Sequence, residues 1–298
     1  MRRAYSAFEQ LVAPARPSAT PLRLILGLVL CVVLILTFVM LTSALLNSAM
    51  SEDARSALDN SLDTASDPTG VLGNLFIFIF VFLALDIALR QVHGRTLLSA
   101  IGDWDTAKSQ FKRTCGYLVG LYVVLMVLMP SDPDIAPQLN VEFGTWILYL
   151  PLALPALLIQ VGAEETLFRG YMQSQLAARY GRPLVWIVLP SVIFGLLHYD
   201  AELNGDNAWL VVLWATAFGV VAADLTARSG TLGPAVGLHF FNNFYAIFVA
   251  APTGYFDGMA LYTYPFEISD DRAVWAWAPV DLMMLFVSWL TIRLALRR

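Results

Sequence analysis

The chain has little charge, little cysteine and little histidine, and each scarcity excludes something. Of its 298 residues only 14% are Asp, Glu, Lys or Arg, against 58% hydrophobic, and the mean hydropathy is +0.66. A water-soluble globule is excluded on those figures. The two cysteines, Cys31 and Cys115, lie in or beside different apolar runs, so they supply neither a disulfide framework nor a CxxC metal pair and read as packing residues. No HExxH occurs among the three histidines, which removes the usual zinc-peptidase signature. No basic stripe suggests nucleic acid, and there is no repeat of fixed period or low-complexity tract. The longest polar insert, NSAMSEDARSALDNSLDTASDPTG, is too short for a second domain.

What remains is a series of apolar runs. Crossing about 30 Å of hydrocarbon takes about 20 helical residues, and candidate runs fall near 22–46, 71–89, 115–129, 144–163, 184–198, 208–227, 232–250 and 273–294. The expectation is an all-α, polytopic integral membrane protein with about eight transmembrane helices, the third and fifth short. Residues 1–21 read as a cytoplasmic N-terminal segment and 22–298 as one membrane domain. The first run is about twice the length of a secretory h-region, which favours a retained signal anchor.

Basic residues set orientation, because Lys and Arg stay on the cytoplasmic side. The N-terminus, 90–113, 169–182, Arg228 and the tail hold 16 of the 18; the alternate segments have only Arg55 and Arg272 but 15 of the 23 acids. Both termini are therefore expected in the cytoplasm, as in a bacterial plasma (inner) membrane, and the net charge of -5 is a property of solvated outer loops. The stretch RQVHGRTLLSAIGDWDTAKSQFKRT mixes apolar residues with basic flanks and is expected as a cytoplasmic interfacial helix, with His93 exposed among its charges.

Ionisable groups in hydrocarbon cost about 2.5 to 3.5 kcal/mol each and need a partner or a task. Asp86 with Arg90, and Asp224 with Arg228, sit four apart at inner helix ends and read as structural pairs. Asp281 has no local partner, which fits a buried hydrogen-bonding group or part of a polar cavity. In GAEETLFRG, Glu165 and Arg169 share a face, whereas Glu164 points about 100° away with only Phe168 at the same spacing. A carboxylate held from water with no cation beside it becomes a stronger base. Glu164 is the candidate base; the bland reading is a Glu-Glu-Arg knot between helices.

Two histidines also fall in apolar spans, His198 in FGLLHY and His239 in LHFFNN, with Asn243 one turn beyond His239. One such histidine alone is a packing group, but two with an asparagine and an unpaired glutamate suggest a site. A helical hairpin with its tip near Arg182 would bring Glu164 and His198 to nearly equal height, about 25 Å from that tip. DAELNGDN would then dip toward the membrane or line a wet cavity.

EExxxR at Glu164-Glu165-Arg169, FxxxH at Phe194-His198 and HxxxN at His239-Asn243 together resemble the CAAX protease and bacteriocin-processing (CPBP, Abi) family of intramembrane endopeptidases, which includes type II CAAX prenyl proteases. The resemblance covers roughly 144–250. It implies that Glu164 and His198 activate a water, that His239 and Asn243 stabilise the oxyanion, and that Glu165 and Arg169 support them. The expected mechanism uses no cofactor, because HExxH is absent and Asn243 is a poor zinc ligand. The implied partners are the lipid bilayer and a membrane-associated or lipidated peptide or protein, and the family also includes members linked to bacteriocin immunity. Competing readings are zinc held by Glu164, His198 and His239, and a non-enzymatic membrane immunity or partner protein, or a small transporter, with a polar cluster. Tyr199-Asp200 lacks a GxGD partner and ARSG lacks the first glycine of GxSG, so aspartyl and serine chemistries fit worse.

Overall fold

The computed structural model describes residues 3–128 and 136–297, and they form an all-α bundle of membrane-spanning character. Its long helices are α1 (Pro21–Ala49), α2 (Glu52–Thr64), α3 (Pro68–Phe76), α4 (Ile79–His93), α5 (Trp104–Leu128) and α6 (Phe143–Glu165). A π-helix (Thr166–Gln173) runs on into α7 (Ser174–Arg179), followed by α8 (Pro183–Leu196), α9 (Ala208–Ser229), α10 (Gly233–Phe244) and α11 (Asp271–Leu296). Starts are chemically marked: Thr20 accepts from the Arg23 amide and Pro21 opens α1, while Asp67 accepts from the Thr69 and Gly70 amides ahead of Pro68. The Ser61 hydroxyl, with those amides, holds the Asp67 carboxyl below its ordinary range against the opposing effect of burial.

Six helical segments among the described residues are long and apolar enough to cross a membrane: Pro21–Ala49, Pro68–His93, Trp104–Leu128, Phe143–Arg179, Ala201–Ser229 and Asp271–Leu296. The other two expected runs become α8, of 14 residues, and α10, of 12, which a π-helix of five residues continues to Val249; both are shorter than those six. Among the described residues, six helices are thus long and apolar enough to cross. Phe143–Arg179 is one column of 37 residues, about 56 Å long at the α-helical rise, so it projects beyond the hydrocarbon. The turn of the expected hairpin lies at 180–182.

The expected interfacial helix at 90–113 does not form. Gly94 (φ 63°) and Gly102 (φ 89°) take left-handed conformations that end α4 and break the segment, and Asp103 then caps α5 through the Thr106 amide at 2.9 Å. His93 is buried, against expectation. Its Nδ1 lies 2.9 Å from both Ser18 Oγ and Gln175 Nε2, and its Nε2 lies 2.8 Å from the Tyr171 hydroxyl. The N-terminal turns fold back over this end of the bundle, with Phe8 against Trp186 at 5.2 Å, and that long-range cover is invisible to a local charge pattern. DAELNGDN folds into helical turns, Ala201–Asn204 and Gly205–Asn207, the first capped by Asp200 through the Leu203 amide.

Both expected ion pairs are present. Arg90 reaches Asp86 at 2.6 Å. Asp224 accepts from Arg228 at 2.8 Å, from the Tyr5 hydroxyl at 2.8 Å and from Trp289 Nε1 at 2.9 Å, which ties the N-terminal turns and α11 to α9. A small sheet caps the other end, β1 (Gln138–Leu139) antiparallel to β3 (Tyr262–Tyr264) and β2 (Ala250–Pro252) parallel to it.

Helices that carry the polar residues pack closely through small side chains. A Cβ on Gly195 of α8 would stand 2.6 Å from the Val212 carbonyl of α9, and one on Gly237 of α10 would stand 2.9 Å from Thr114 Cγ2 of α5. Such approach is how helices gain contact in lipid. Gly195→Val should lower stability by about 1 to 3 kcal/mol through overpacking, whereas Gly181→Ala, with no neighbour within 4 Å, should leave thermal unfolding in detergent unchanged.

Candidate functional site

The polar residues singled out in the sequence come from α6, α8 and α10. At the base lies Glu165, fully buried, whose Oε1 accepts from Arg169 Nη1 at 2.9 Å and from His239 Nδ1 at 2.8 Å. Arg169, also buried, stacks on Phe194, its Cζ 4.6 Å from the ring centroid. The expected pairing of Glu165 with Arg169 is thus present. Its second partner, His239, was not expected.

Glu164 faces the other side of the same imidazole. Its Oε2 lies 3.6 Å from His239 Nε2 and accepts no hydrogen bond from the protein; that distance is an ion-pair approach rather than a hydrogen bond. The side chain retains 15% exposure, whereas Glu165 has none. One carboxylate is neutralised and one is left open, as the 100° offset between adjacent helical positions requires.

Both histidines are oriented through Nδ1. For His239 the acceptor is Glu165; for His198 it is the Phe194 carbonyl, at 2.8 Å. A carboxylate or carbonyl oxygen only accepts, so each Nδ1 carries a proton and each Nε2 is the open nitrogen. Phe194 separates the two rings, 4.6 Å from His198 and 6.1 Å from His239 between centroids. His198 is exposed, at the end of α8, and makes no hydrogen bond to Glu164 among the described residues.

Asn243 donates to Gln160 Oε1 at 3.1 Å and accepts from Asn242 Nδ2 at 3.1 Å. Sequence reasoning missed Gln160 and Asn242. Gln160 stands one turn before Glu164 on α6, so an i, i+4 search from the glutamate for polar side chains would have found it.

The backbone is unusual at both places. The π-helix begins at Thr166, directly after Glu165, and a second π-helix (Tyr245–Val249) begins two residues after Asn243. π-Turns widen the helix locally and recur at functional sites. No periodicity in the sequence announces them.

The zinc alternative needs Glu164, His198 and His239 to converge. No group of three His, Cys, Asp or Glu side chains among the described residues is arranged to hold a metal ion.

Comparison with known proteins agrees with this part of the chain. Residues 146–245 match the family described as type II CAAX prenyl endopeptidase Rce1-like. Uncharacterized protein YyaK of Bacillus subtilis (strain 168) is 24% identical over 189 residues, 61% of this chain and 62% of that protein, so the match spans less than two thirds of either. No solved structure matches significantly. Residues 146–245 of this all-helical membrane protein, which hold the ordered EExxxR, FxxxH and HxxxN motifs, are thus similar to the Rce1-like type II CAAX prenyl endopeptidase family.

Proposed function

We propose that this protein is an intramembrane endopeptidase that hydrolyses a peptide bond of a membrane-associated peptide or protein, with Glu164 as general base. The observation that carries the reading is the geometry at His239: Nδ1 committed to the buried Glu165, and Nε2 facing the open carboxylate of Glu164 at 3.6 Å.

The chemistry follows from which atoms are left open. Glu164 takes one proton from water, while His198 Nε2 accepts a hydrogen bond from the O–H that remains, so the oxygen attacks the peptide carbonyl carbon. The proton passes from Glu164 to His239 Nε2. The resulting imidazolium is balanced by Glu165 and gives a hydrogen bond to the oxyanion; as the oxyanion collapses and the C–N bond breaks, that proton goes to the leaving amine. Asn243 gives one amide hydrogen to Gln160 and has a second for the oxyanion. Arg169 is a positioning residue: it offsets the charge of Glu165 so that the carboxylate stays an acceptor for His239. A cytoplasmic placement of both termini in a bacterial inner membrane belongs to the same reading and rests on the distribution of basic residues.

Glu164→Gln should insert and fold normally yet lose cleavage by about 10²- to 10⁴-fold, the usual size of a general-base contribution. Liposome-reconstituted protein with mass spectrometry of membrane peptides measures it, and undiminished cleavage by the variant removes Glu164 as base. Exhaustive chelation should leave the activity of the wild-type chain intact; stoichiometric zinc bound through His198 and His239 would overturn the glutamate mechanism. Arg169→Met leaves a buried carboxylate without its cation and should cost about 3 to 5 kcal/mol, with the Glu165→Gln, Arg169→Met pair recovering part of the stability in chemical unfolding but not the activity.

A further inference from the structure

Asp281 has no part in the chemistry above, yet it sits about 15 Å along α11 from the start of that helix. Leu282, Met283, Phe286 and Leu290 form the exposed apolar face of α11 that meets lipid. Asp281 belongs to a different row, continued at helical spacing by Leu285, Ser288 and Ile292, which are all buried against the bundle. In that row Asp281 alone is exposed. The carboxylate is therefore left uncovered where the rest of its row is packed.

Aromatic rings and hydroxyls lie near it. The Tyr245 and Tyr264 hydroxyls lie 3.2 Å apart, Tyr122 packs on Tyr245 at 5.9 Å, and Tyr264 packs on Trp277, one turn before Asp281, at 5.3 Å. Asp281 acts electrostatically on Tyr122 and Tyr264 but has no ion pair or hydrogen bond among the described residues. Tyr245 follows Asn243 by two positions, and Asn242 lies between His239 and Tyr245 around α10. Polar side chains thus lead from Asn243 through Asn242 and Tyr245 to Tyr264.

We propose that Asp281 and the aromatic residues near it seat a protonated amine or guanidinium, and that the cation belongs to the peptide substrate of the neighbouring site. An anionic side chain with no cation along a membrane span is costly, and aromatic rings beside a carboxylate draw an organic cation. A neutral group would leave the carboxylate uncompensated. Lipid headgroup amines share the chemistry, but they lie at the interface, whereas Asp281 lies well along the span and is joined to Asn243 by polar side chains. The choice of a peptide as the source rests on the proteolytic reading; the cation seat itself does not.

Binding, rather than cleavage, tests it. The full chain in phosphatidylglycerol nanodiscs is titrated with two capped, fluorescent transmembrane peptides that differ only in one lysine or norleucine. The wild-type chain should prefer the lysine peptide by about tenfold; Asp281→Asn should lose the preference and Asp281→Glu should keep it, with unchanged thermal unfolding as the folding control. Equal binding of the two peptides to the wild-type chain, or a preference that survives Asp281→Asn, overturns the proposal. If adding phosphatidylethanolamine abolishes the preference, the seat belongs to a lipid amine and the peptide assignment fails. Because cleavage is not read, an inactive Glu164→Gln chain gives the same answer, and failure of the proteolytic reading remains separable.

Discussion

The site depends on one buried carboxylate. Glu165 has no exposure, and one of its oxygens accepts from both the buried Arg169 and the Nδ1 of His239. Burying such a pair costs desolvation that the attraction between the charges barely repays, so its value lies in what it fixes. By accepting from Nδ1 it sets the proton on that nitrogen and turns Nε2 toward Glu164. Phe194 completes the arrangement by stacking on the guanidinium and separating the two imidazoles.

Around this pair the fold combines rigid and yielding parts. Small residues let α8 approach α9 and α10 approach α5, which holds the histidine-bearing helices at short range. The π-turns after Glu165 and Asn243 change the register at the two places where polar side chains must point inward from adjacent positions. The long column Phe143–Arg179 carries the glutamates near its middle and is longer than the hydrocarbon is thick, and His93 and Tyr171 anchor its far end to α4 and the N-terminal turns.

Much of this was legible in the sequence, for physical reasons. Hydrocarbon thickness sets the length of an apolar run, so the helices fall where the runs do, and the i, i+4 rule found Glu165–Arg169, Asp86–Arg90 and Asp224–Arg228. Contacts between distant segments were not legible. His93 looked exposed because its neighbours are charged, yet Ser18 and Gln175 cover it. His239 joins Glu165 across 74 positions, which the motifs suggest only as proximity. Two apolar runs also form helices shorter than the six long ones, since composition fixes hydrophobicity but not where a helix stops.

The orientation of His239 is the most direct point of test. Nitrogen NMR of isotope-labelled histidine in nanodiscs, with His93 and His198 assigned by substitution, reports which ring nitrogen holds the proton and what each one faces. The proton should reside on Nδ1, that signal should move with Glu165→Gln, and the Nε2 signal should move with Glu164→Gln. A proton on Nε2 with bare Nδ1, or an imidazole indifferent to both substitutions, would contradict the arrangement on which the proposed hydrolysis stands.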